Sequence, residues 1–168
     1  FICITCYLIG EIFDRAEDLL TLRHMRTRFS GGTLLVATGP ISKGSAGILA
    51  ILLLCGAALG GLYIAHLHHS WTLFGLGVFG GLAAVVYSLP PVRLAKRGMG
   101  EVFIAVCYGW LTLFTGLATA TGTFPPDSYL FALPQALSIF NVILFNEFPD
   151  YEPDRRVGKK NLVVRWGR

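Results

Sequence analysis

Two clusters of acidic residues repeat one spacing at distant places in the chain. In each cluster an aspartate follows a glutamate by three residues and a second aspartate comes four residues later, as Glu11, Asp14 and Asp18 and again as Glu147, Asp150 and Asp154. Residues four apart on a helix lie on the same face, so the two aspartates of a cluster can point to one spot. The repetition suggests duplicated halves with one site between them.

The chemistry predicted for these paired carboxylates is metal binding. Like charges repel at this spacing, and an uncompensated carboxylate at membrane depth is costly, so a cation is expected beside each pair. Mg²⁺ is the natural candidate, because it takes hard oxygen ligands and is usually shared between one or two carboxylates and substrate phosphates. Two facing pairs would hold two ions around a diphosphate, and Arg and Lys side chains would supply the remaining positive charge. A single pair would more simply be a cluster of surface charges, but two copies favour the metal site.

Apolar helices must position these clusters. Hydrophobic residues make up 54 % of the 168 residues and charged residues 14 %, against about 25 % charged in soluble proteins. Helices are predicted at about 1–13, 46–67, 71–89, 102–122 and 129–148. The last four are near the roughly 20 residues that cross a bilayer, and they lack the polar face that a soluble bundle requires. The prediction is an all-α polytopic transmembrane bundle, with residues 1–168 forming one partial domain of a longer protein.

The basic residues predict the orientation. All 14 Lys and Arg residues lie in the loop after the first helix, the loop between the third and fourth helices, and the terminal segment, whereas the loops at 66–70 and 123–128 contain none. The positive-inside rule makes the basic side cytoplasmic, so both aspartate clusters should face the cytoplasm from a cell or inner membrane. The net charge of +4, without basic residues interleaved with exposed aromatics, excludes a nucleic-acid-binding module.

Several motifs resemble those of the UbiA-type intramembrane prenyltransferases. The stretch from Asn146 to Asp154 resembles the second aspartate motif of that family, and Asp14 and Asp18 match the first, NxxxDxxxD, with Gly10 at the asparagine position. Two further loops resemble loops of the family: the one from Arg28 through Ser-Gly-Gly-Thr, and the stretch Tyr-Ser-Leu-Pro-Pro-Val-Arg. The family commonly has a lysine four residues after that tyrosine, and this chain has a proline there. The resemblance covers nearly the whole chain and implies about five helices of a nine-helix bundle.

The resemblance implies Mg²⁺-dependent transfer of an isoprenyl chain within the membrane. The donor would be a prenyl diphosphate and the acceptor a small aromatic, quinone-precursor-like molecule, with the chlorophyll and tocopherol branches also similar. The implied metal ligands are Asp14, Asp18, Asn146, Asp150 and Asp154. The implied diphosphate contacts are Arg26, Arg28, Arg93, Lys96 and Lys159. Tyr87 is expected either to orient the diphosphate or the allylic cation, or to anchor its helix at the membrane interface.

Three alternatives remain open from the sequence. A transporter could also use acidic pairs, although its charges should lie in the middle of helices rather than at one face. A membrane phosphotransferase acting on nucleotide-linked alcohols would need one extended aspartate array, which the sequence lacks. The third alternative is a catalytically inactive remnant. Glu101 receives only a structural interpretation, as a negative charge at the positive end of a helix.

Overall fold

The computed structural model describes residues 1–24 and 32–167, and its regular elements are helices. In chain order they are α1 Ile2–Phe13, α2 Arg15–His24, α3 Lys43–Leu67, α4 Trp71–Ser88, α5 Gly100–Ile104, α6 Thr112–Thr121, α7 Ser128–Glu147, α8 Tyr151–Arg156 and α9 Leu162–Trp166. A short 3-10 turn at Leu94–Lys96 precedes α5. A π-helical segment at Ala105–Leu111 joins α5 to α6, so that Gly100–Thr121 is one continuous span.

Within the described residues, four helices are long and apolar enough to cross a membrane. They are Lys43–Leu67, Trp71–Ser88, Gly100–Thr121 and Ser128–Glu147. The apolar helix α1 has 12 residues and is shorter. These spans agree with the predicted all-α membrane bundle, and the chain is an integral membrane protein.

The helix ends follow from capping and proline chemistry. Helix α3 begins at Lys43, three residues before the predicted start, because the hydroxyl of Ser42 accepts a hydrogen bond from the Ser45 amide and caps it. Ser70 caps α4 in the same way, through the Leu73 amide. Helix α7 ends at Glu147, just before Pro149, which has no amide hydrogen to continue the helix.

Small residues allow the helices to pack closely. Helix α1 packs against α3 and α4, and α7 packs against the π-helical segment. Ala46 and Ala50 of α3 are buried beside Leu8 of α1. A Cβ atom at Gly109 would lie 2.4 Å from the Cα of Ala136, so these two backbones are in direct contact. Small residues serve this purpose in membrane bundles, where lipid tails are as apolar as the side chains themselves.

Each aspartate cluster lies at a break between an apolar helix and a short polar one. Asp14 separates α1 from α2 with φ −97° and ψ 6°, and Asp150 precedes α8 with φ −91° and ψ 5°. The amide of Asp18 donates to the carbonyl of Asp14 at 2.9 Å, and that of Asp154 donates to the carbonyl of Asp150 at 2.9 Å. The two clusters therefore share one backbone conformation, and contacts between α2 and α8 bring them together.

Candidate active site between the two aspartate clusters

The first aspartate cluster carries a cationic partner from the loop after α4. Nη2 of Arg93 lies 2.5 Å from Oδ1 of Asp14 and also donates to the carbonyl of Phe13 at 3.2 Å. Arg93 has a left-handed backbone, with φ 41° and ψ 64°. That conformation costs a non-glycine residue about 1–3 kcal/mol, so the surrounding contacts must hold it in place. The strained backbone places a guanidinium directly on the first predicted metal ligand.

A second ion pair joins the same two elements. The Lys96 ammonium pairs with the carboxylate of Glu17, a buried residue of α2 to which the sequence analysis assigned no role. Burial lowers the pKa of Lys96 below its ordinary value, and the nearby Lys159 adds to this, while Asp14 and Asp154 oppose it. Lys96 is thus within electrostatic range of both aspartate clusters.

The second aspartate cluster is held by residues that follow it in the chain. Nζ of Lys159 lies 3.2 Å from each carboxylate oxygen of Asp154, and Nδ2 of Asn161 donates to Oδ2 at 2.7 Å. Burial raises the pKa of the Asp154 carboxyl above its ordinary value, because it disfavours the charged form, while Lys159 and Asn161 oppose that rise. Asn161 is a contact that the sequence analysis missed.

Lys159 connects the two clusters electrostatically. Burial alone would lower the pKa of Lys159, but Asp154, Tyr87 and Asp14 outweigh burial and hold that pKa above its ordinary value. Tyr87 lies in the last turn of α4, where its ring is 3.1 Å from the position of a Cβ atom on Gly100. The structure therefore gathers residues from both clusters, the α4–α5 loop and the segment after α8 at one end of the bundle.

The remaining predicted site residues lie around this group or outside the described part of the chain. Asp18 and Asp150 are half-buried, and a Cβ atom on Gly32 would lie 3.3 Å from Oδ1 of Asp18. Asn146 is exposed in the last turn of α7. The predicted diphosphate contacts Arg26 and Arg28 lie outside the described residues.

The glutamate that opens the first cluster holds a loop. Oε1 of Glu11 accepts hydrogen bonds from the Thr33 amide at 2.6 Å, the Thr33 hydroxyl at 2.8 Å and the Leu34 amide at 2.8 Å. Its Oε2 accepts from the Val36 amide at 3.2 Å. Glu11 is buried, and these four bonds fasten the segment that follows α2 to α1. The repeated acidic spacing included Glu11 but could not show this use.

The donor set suits a metal ion that is shared with a phosphate ligand. Among the described residues, no group of three or more His, Cys, Asp and Glu side chains converges on one point. Mg²⁺ needs only one or two carboxylates when phosphate oxygens and water complete its shell. The paired carboxylates at Asp14–Asp18 and Asp150–Asp154 fit that coordination rather than a closed protein cage, and the adjacent Arg93, Lys96 and Lys159 fit an anion.

The sequence matches a known protein family over its whole length. The UbiA prenyltransferase family model matches residues 1–168. The chain belongs to the UbiA prenyltransferase family. It is 37 % identical over 119 residues to the bacteriochlorophyll synthase 33 kDa chain of Cereibacter sphaeroides, covering 64 % of this chain and 39 % of that protein. No solved structure matches it significantly.

The chain is also similar to a chlorophyll synthase and to a naphthoate octaprenyltransferase. The chain is 32 % identical over 116 residues to chloroplastic chlorophyll synthase of Arabidopsis thaliana, covering 65 % of this chain and 30 % of the relative. It is 29 % identical over 111 residues to 1,4-dihydroxy-2-naphthoate octaprenyltransferase of Bacillus subtilis, covering 66 % and 35 %. The matched region thus spans only about a third of the length of these relatives.

Proposed function

We propose that this protein transfers an isoprenyl chain from a prenyl diphosphate to a small aromatic acceptor within the membrane, in a Mg²⁺-dependent reaction. The observation that carries the proposal is that two aspartate clusters and three basic side chains meet at one end of an apolar bundle. Membership of the UbiA prenyltransferase family supports the reaction class.

The carboxylates and the basic residues have separate tasks in this proposal. Asp14, Asp18, Asp150 and Asp154 would hold Mg²⁺, with Asn146 as a further ligand. Bound there, Mg²⁺ would neutralise the diphosphate and make it a better leaving group. The side chains of Arg93, Lys96 and Lys159 would bind the diphosphate oxygens and so hold the carbon–oxygen bond that breaks next to the apolar bundle. Arg26 and Arg28 are further candidates for contacts with the diphosphate.

The apolar part of the bundle protects the organic half of the reaction. Loss of diphosphate leaves an allylic cation, which water would capture in an open site. Aromatic faces stabilise such a cation, and Tyr87, in the last turn of α4, lies within electrostatic range of Lys159, where the diphosphate is proposed to bind. A nucleophilic atom of the acceptor would then bond to the allylic carbon that the diphosphate has left, and the proton displaced from the acceptor would pass to the released diphosphate.

We place the reacting end of the bundle at the cytoplasmic face. The described segments that carry Lys and Arg residues meet at this end, as the contact of Arg93 with Asp14 and the hydrogen bond from the Lys160 amide to the Lys96 carbonyl illustrate. The positive-inside rule then assigns the cytoplasmic side. Because the charges lie at helix ends rather than in the middle of the spans, the arrangement favours a transferase over a transporter.

The acceptor is proposed to be a quinone precursor of the naphthoate type or a chlorophyll precursor. Relatives with both kinds of name match the same region of this chain. The experiment supplies membranes containing the intact protein with prenyl diphosphate, Mg²⁺ and each acceptor class, and identifies the prenylated product by its mass. Product should require both Mg²⁺ and an acceptor.

Paired variants test whether the aspartates drive this reaction. Asp150→Asn should abolish product formation, whereas Asp127→Asn, the same change in an exposed loop at the other end of the bundle, should leave it unchanged. If the wild-type membranes form no prenylated product with any acceptor, or if Asp150→Asn keeps full turnover at limiting Mg²⁺, the proposed function is wrong.

A further inference from the structure

Glu101 is a buried carboxylate that the proposed reaction does not use. It lies in the first turn of α5, and only 1 % of its surface is exposed. Its Oε1 accepts a hydrogen bond of 2.6 Å from the backbone amide of Leu162, which is 61 positions away in the chain. A charge at the positive end of α5 needs no such partner, so the helix-dipole interpretation does not account for this long-range contact.

The contact belongs to a set that fastens the segment after α8 onto the α4–α5 loop. The Lys160 amide donates to the carbonyl of Lys96 at 3.0 Å, and Nη2 of Arg165 donates to the carbonyl of Arg97 at 2.7 Å. Gly98, with φ 69°, leaves space for this approach, because a Cβ atom there would lie 2.3 Å from the carbonyl oxygen of Lys160. Residues 159–165 are therefore held directly against the turn that precedes Glu101.

The anchored amide lies next to the residues that hold Asp154. Asn161, immediately before Leu162, is 1 % exposed, accepts a hydrogen bond from the Val164 amide at 2.8 Å and donates to Oδ2 of Asp154 at 2.7 Å. Lys159 lies two residues earlier and contacts both oxygens of the same carboxylate. Fixing Leu162 thus fixes the backbone from which both partners of Asp154 extend.

We propose that Glu101 is a positioning residue for the second aspartate cluster: by holding the amide of Leu162, it keeps Asn161 and Lys159 on the carboxylate of Asp154. The inference rests on the proposed function, in which Asp154 is a metal ligand. Residues that orient metal ligands in this way typically affect metal affinity or activity by about 10–100-fold.

The surroundings of Glu101 argue against a packing role alone. The carboxyl of Glu147 lies beside it, and the Oε2 atom of each has no hydrogen-bond partner among the described residues. Two buried carboxyl groups side by side are unfavourable, and an apolar side chain of similar volume would usually pack as well or better. The hydrogen bond to the Leu162 amide is a contact of Glu101 that such an apolar side chain could not make.

The first test compares variants of the intact protein in membranes. Glu101→Ala should lower kcat about 10–100-fold and raise the Mg²⁺ concentration for half-maximal rate. Glu101→Gln keeps an acceptor oxygen for the Leu162 amide, so it should recover most of both losses. In an Asn161→Ala background, Glu101→Ala should cause a smaller loss than it causes in the wild-type protein, because only Lys159 is then left for Glu101 to position.

A matched pair at Leu162 removes the hydrogen bond from its other side. Leu162→Pro deletes the amide hydrogen at the first position of α9, where proline is tolerated, and Asn161, with φ −62° and ψ 168°, already has a backbone compatible with a following proline. Leu162→Ala keeps the amide and loses only side-chain packing. Leu162→Pro should raise the Mg²⁺ requirement beyond the effect of Leu162→Ala.

Thiol labelling of the anchored segment tests the contact without measuring turnover. Val163 is buried, so Val163→Cys should react slowly with a membrane-impermeant thiol reagent added at the basic end of the bundle. Glu101→Ala should accelerate that labelling by about tenfold or more, and Glu101→Gln should not. Asp127→Asn serves as the control for loss of a remote charge.

The outcomes separate this inference from the proposed function. If Asp154→Asn is inactive but Glu101→Ala keeps wild-type kcat and Mg²⁺ requirement, the positioning role is overturned while the prenyltransferase assignment stands, whether or not labelling rises. If the wild-type protein transfers no prenyl group, the proposed function fails. Labelling at position 163 then decides alone whether Glu101 holds the segment, and unchanged labelling in Glu101→Ala overturns the contact as well.

Discussion

Each aspartate cluster has a basic side chain already in contact with it. Arg93 contacts Asp14, and Lys159 contacts Asp154, which offsets the repulsion that the paired carboxylates would otherwise exert. In the proposed reaction Mg²⁺ would supply positive charge to the carboxylates, and the diphosphate would supply negative charge to Arg93 and Lys159. The charge at the site would then stay balanced when substrate binds, because the positive charge of Mg²⁺ and the negative charge of the diphosphate enter the site together.

Arg93 should contribute mainly to diphosphate binding. Arg93→Ala is expected to raise the KM for the prenyl diphosphate about 10–100-fold, because a charged hydrogen bond contributes about 1.5–3 kcal/mol. Arg93→Lys should recover only part of this loss, since Nη2 of Arg93 contacts both Asp14 and the Phe13 carbonyl and an ammonium lacks the planar donor pair that suits diphosphate oxygens. Steady-state kinetics in membranes measure the KM of both variants, and Arg97→Ala, which removes an exposed basic side chain from the same loop, is the control. An unchanged KM in Arg93→Ala would exclude this role.

The two aspartate clusters should act as one unit. Asp14→Asn and Asp150→Asn each remove one charge with little change in volume, and each should lower turnover about 100-fold or more if an electrostatic contact to the reacting diphosphate is lost. Groups that serve one reacting centre show strongly non-additive effects, so the double variant should be little worse than either single one. The measurement is kcat for the three variants at saturating Mg²⁺. A double defect equal to the product of the single defects would indicate two independent sites.

Helix positions were predictable from the sequence, but helix ends and long-range contacts were not. The apolar runs determine where the spans lie, because a run without charges is the part of the chain that can be buried in lipid. The observed bounds differ from the predicted ones by at most three residues. The all-α fold and the family resemblance are confirmed. The cap at Ser42 and the break at Asp14 depend on single side chains and local backbone angles, which a hydropathy pattern does not contain.

The candidate site could be predicted only in part, for the same physical reason. The repeated aspartate spacing pointed to both clusters, and their assignment as metal ligands stays a prediction. Glu101 and Asn161 were missed because their hydrogen bonds join segments that no local period connects. Glu17 was missed because its partner Lys96 lies in another loop. The sequence of a polar loop does not show which acidic and basic side chains will pair, because the pairs form only when the helices bring different loops together.

The loop after α2 depends on one buried side chain. Glu11→Ala would leave the amides of Thr33, Leu34 and Val36 without their acceptor, and the donors stranded at the buried residues Leu34 and Val36 cost about 1–3 kcal/mol each. The purified protein in detergent should therefore unfold at a clearly lower temperature, with a loss of roughly 2–4 kcal/mol after partial rehydration. Glu11→Gln keeps one acceptor oxygen and should lose less. Glu152→Gln, at an exposed position in α8, is the matched control, and an equal Tm for Glu11→Ala and this control would contradict the anchoring role.

The bundle as a unit separates an end rich in charged residues from an end that carries few of them. Within residues 1–24 and 32–167, the Lys and Arg residues lie at one end, in short helices, helix ends and loops, and nine of the ten acids accompany them. The opposite end carries His68, an exposed Asp127 and the aromatic residues Trp71 and Tyr129, which suit a membrane interface. A substrate with a diphosphate head and an isoprenyl tail matches this division, because its head would find the charged end while its tail remains between apolar helices.

The division predicts a fixed topology across the membrane. Lys43 begins the 25-residue helix α3 and His68 follows its last residue, so the two are about 37 Å apart at 1.5 Å per residue. Cysteines introduced at Lys43 and at the exposed Lys160 should react with an impermeant thiol reagent only from the cytoplasmic side, in inverted vesicles, and cysteines at His68 and Asp127 only in intact cells. Labelling of the unmodified protein provides the background from its four native cysteines. If cysteines at 43 and 127 react from the same side, the spans between them do not alternate as described, and the two aspartate clusters lose the common membrane face on which a shared diphosphate site depends.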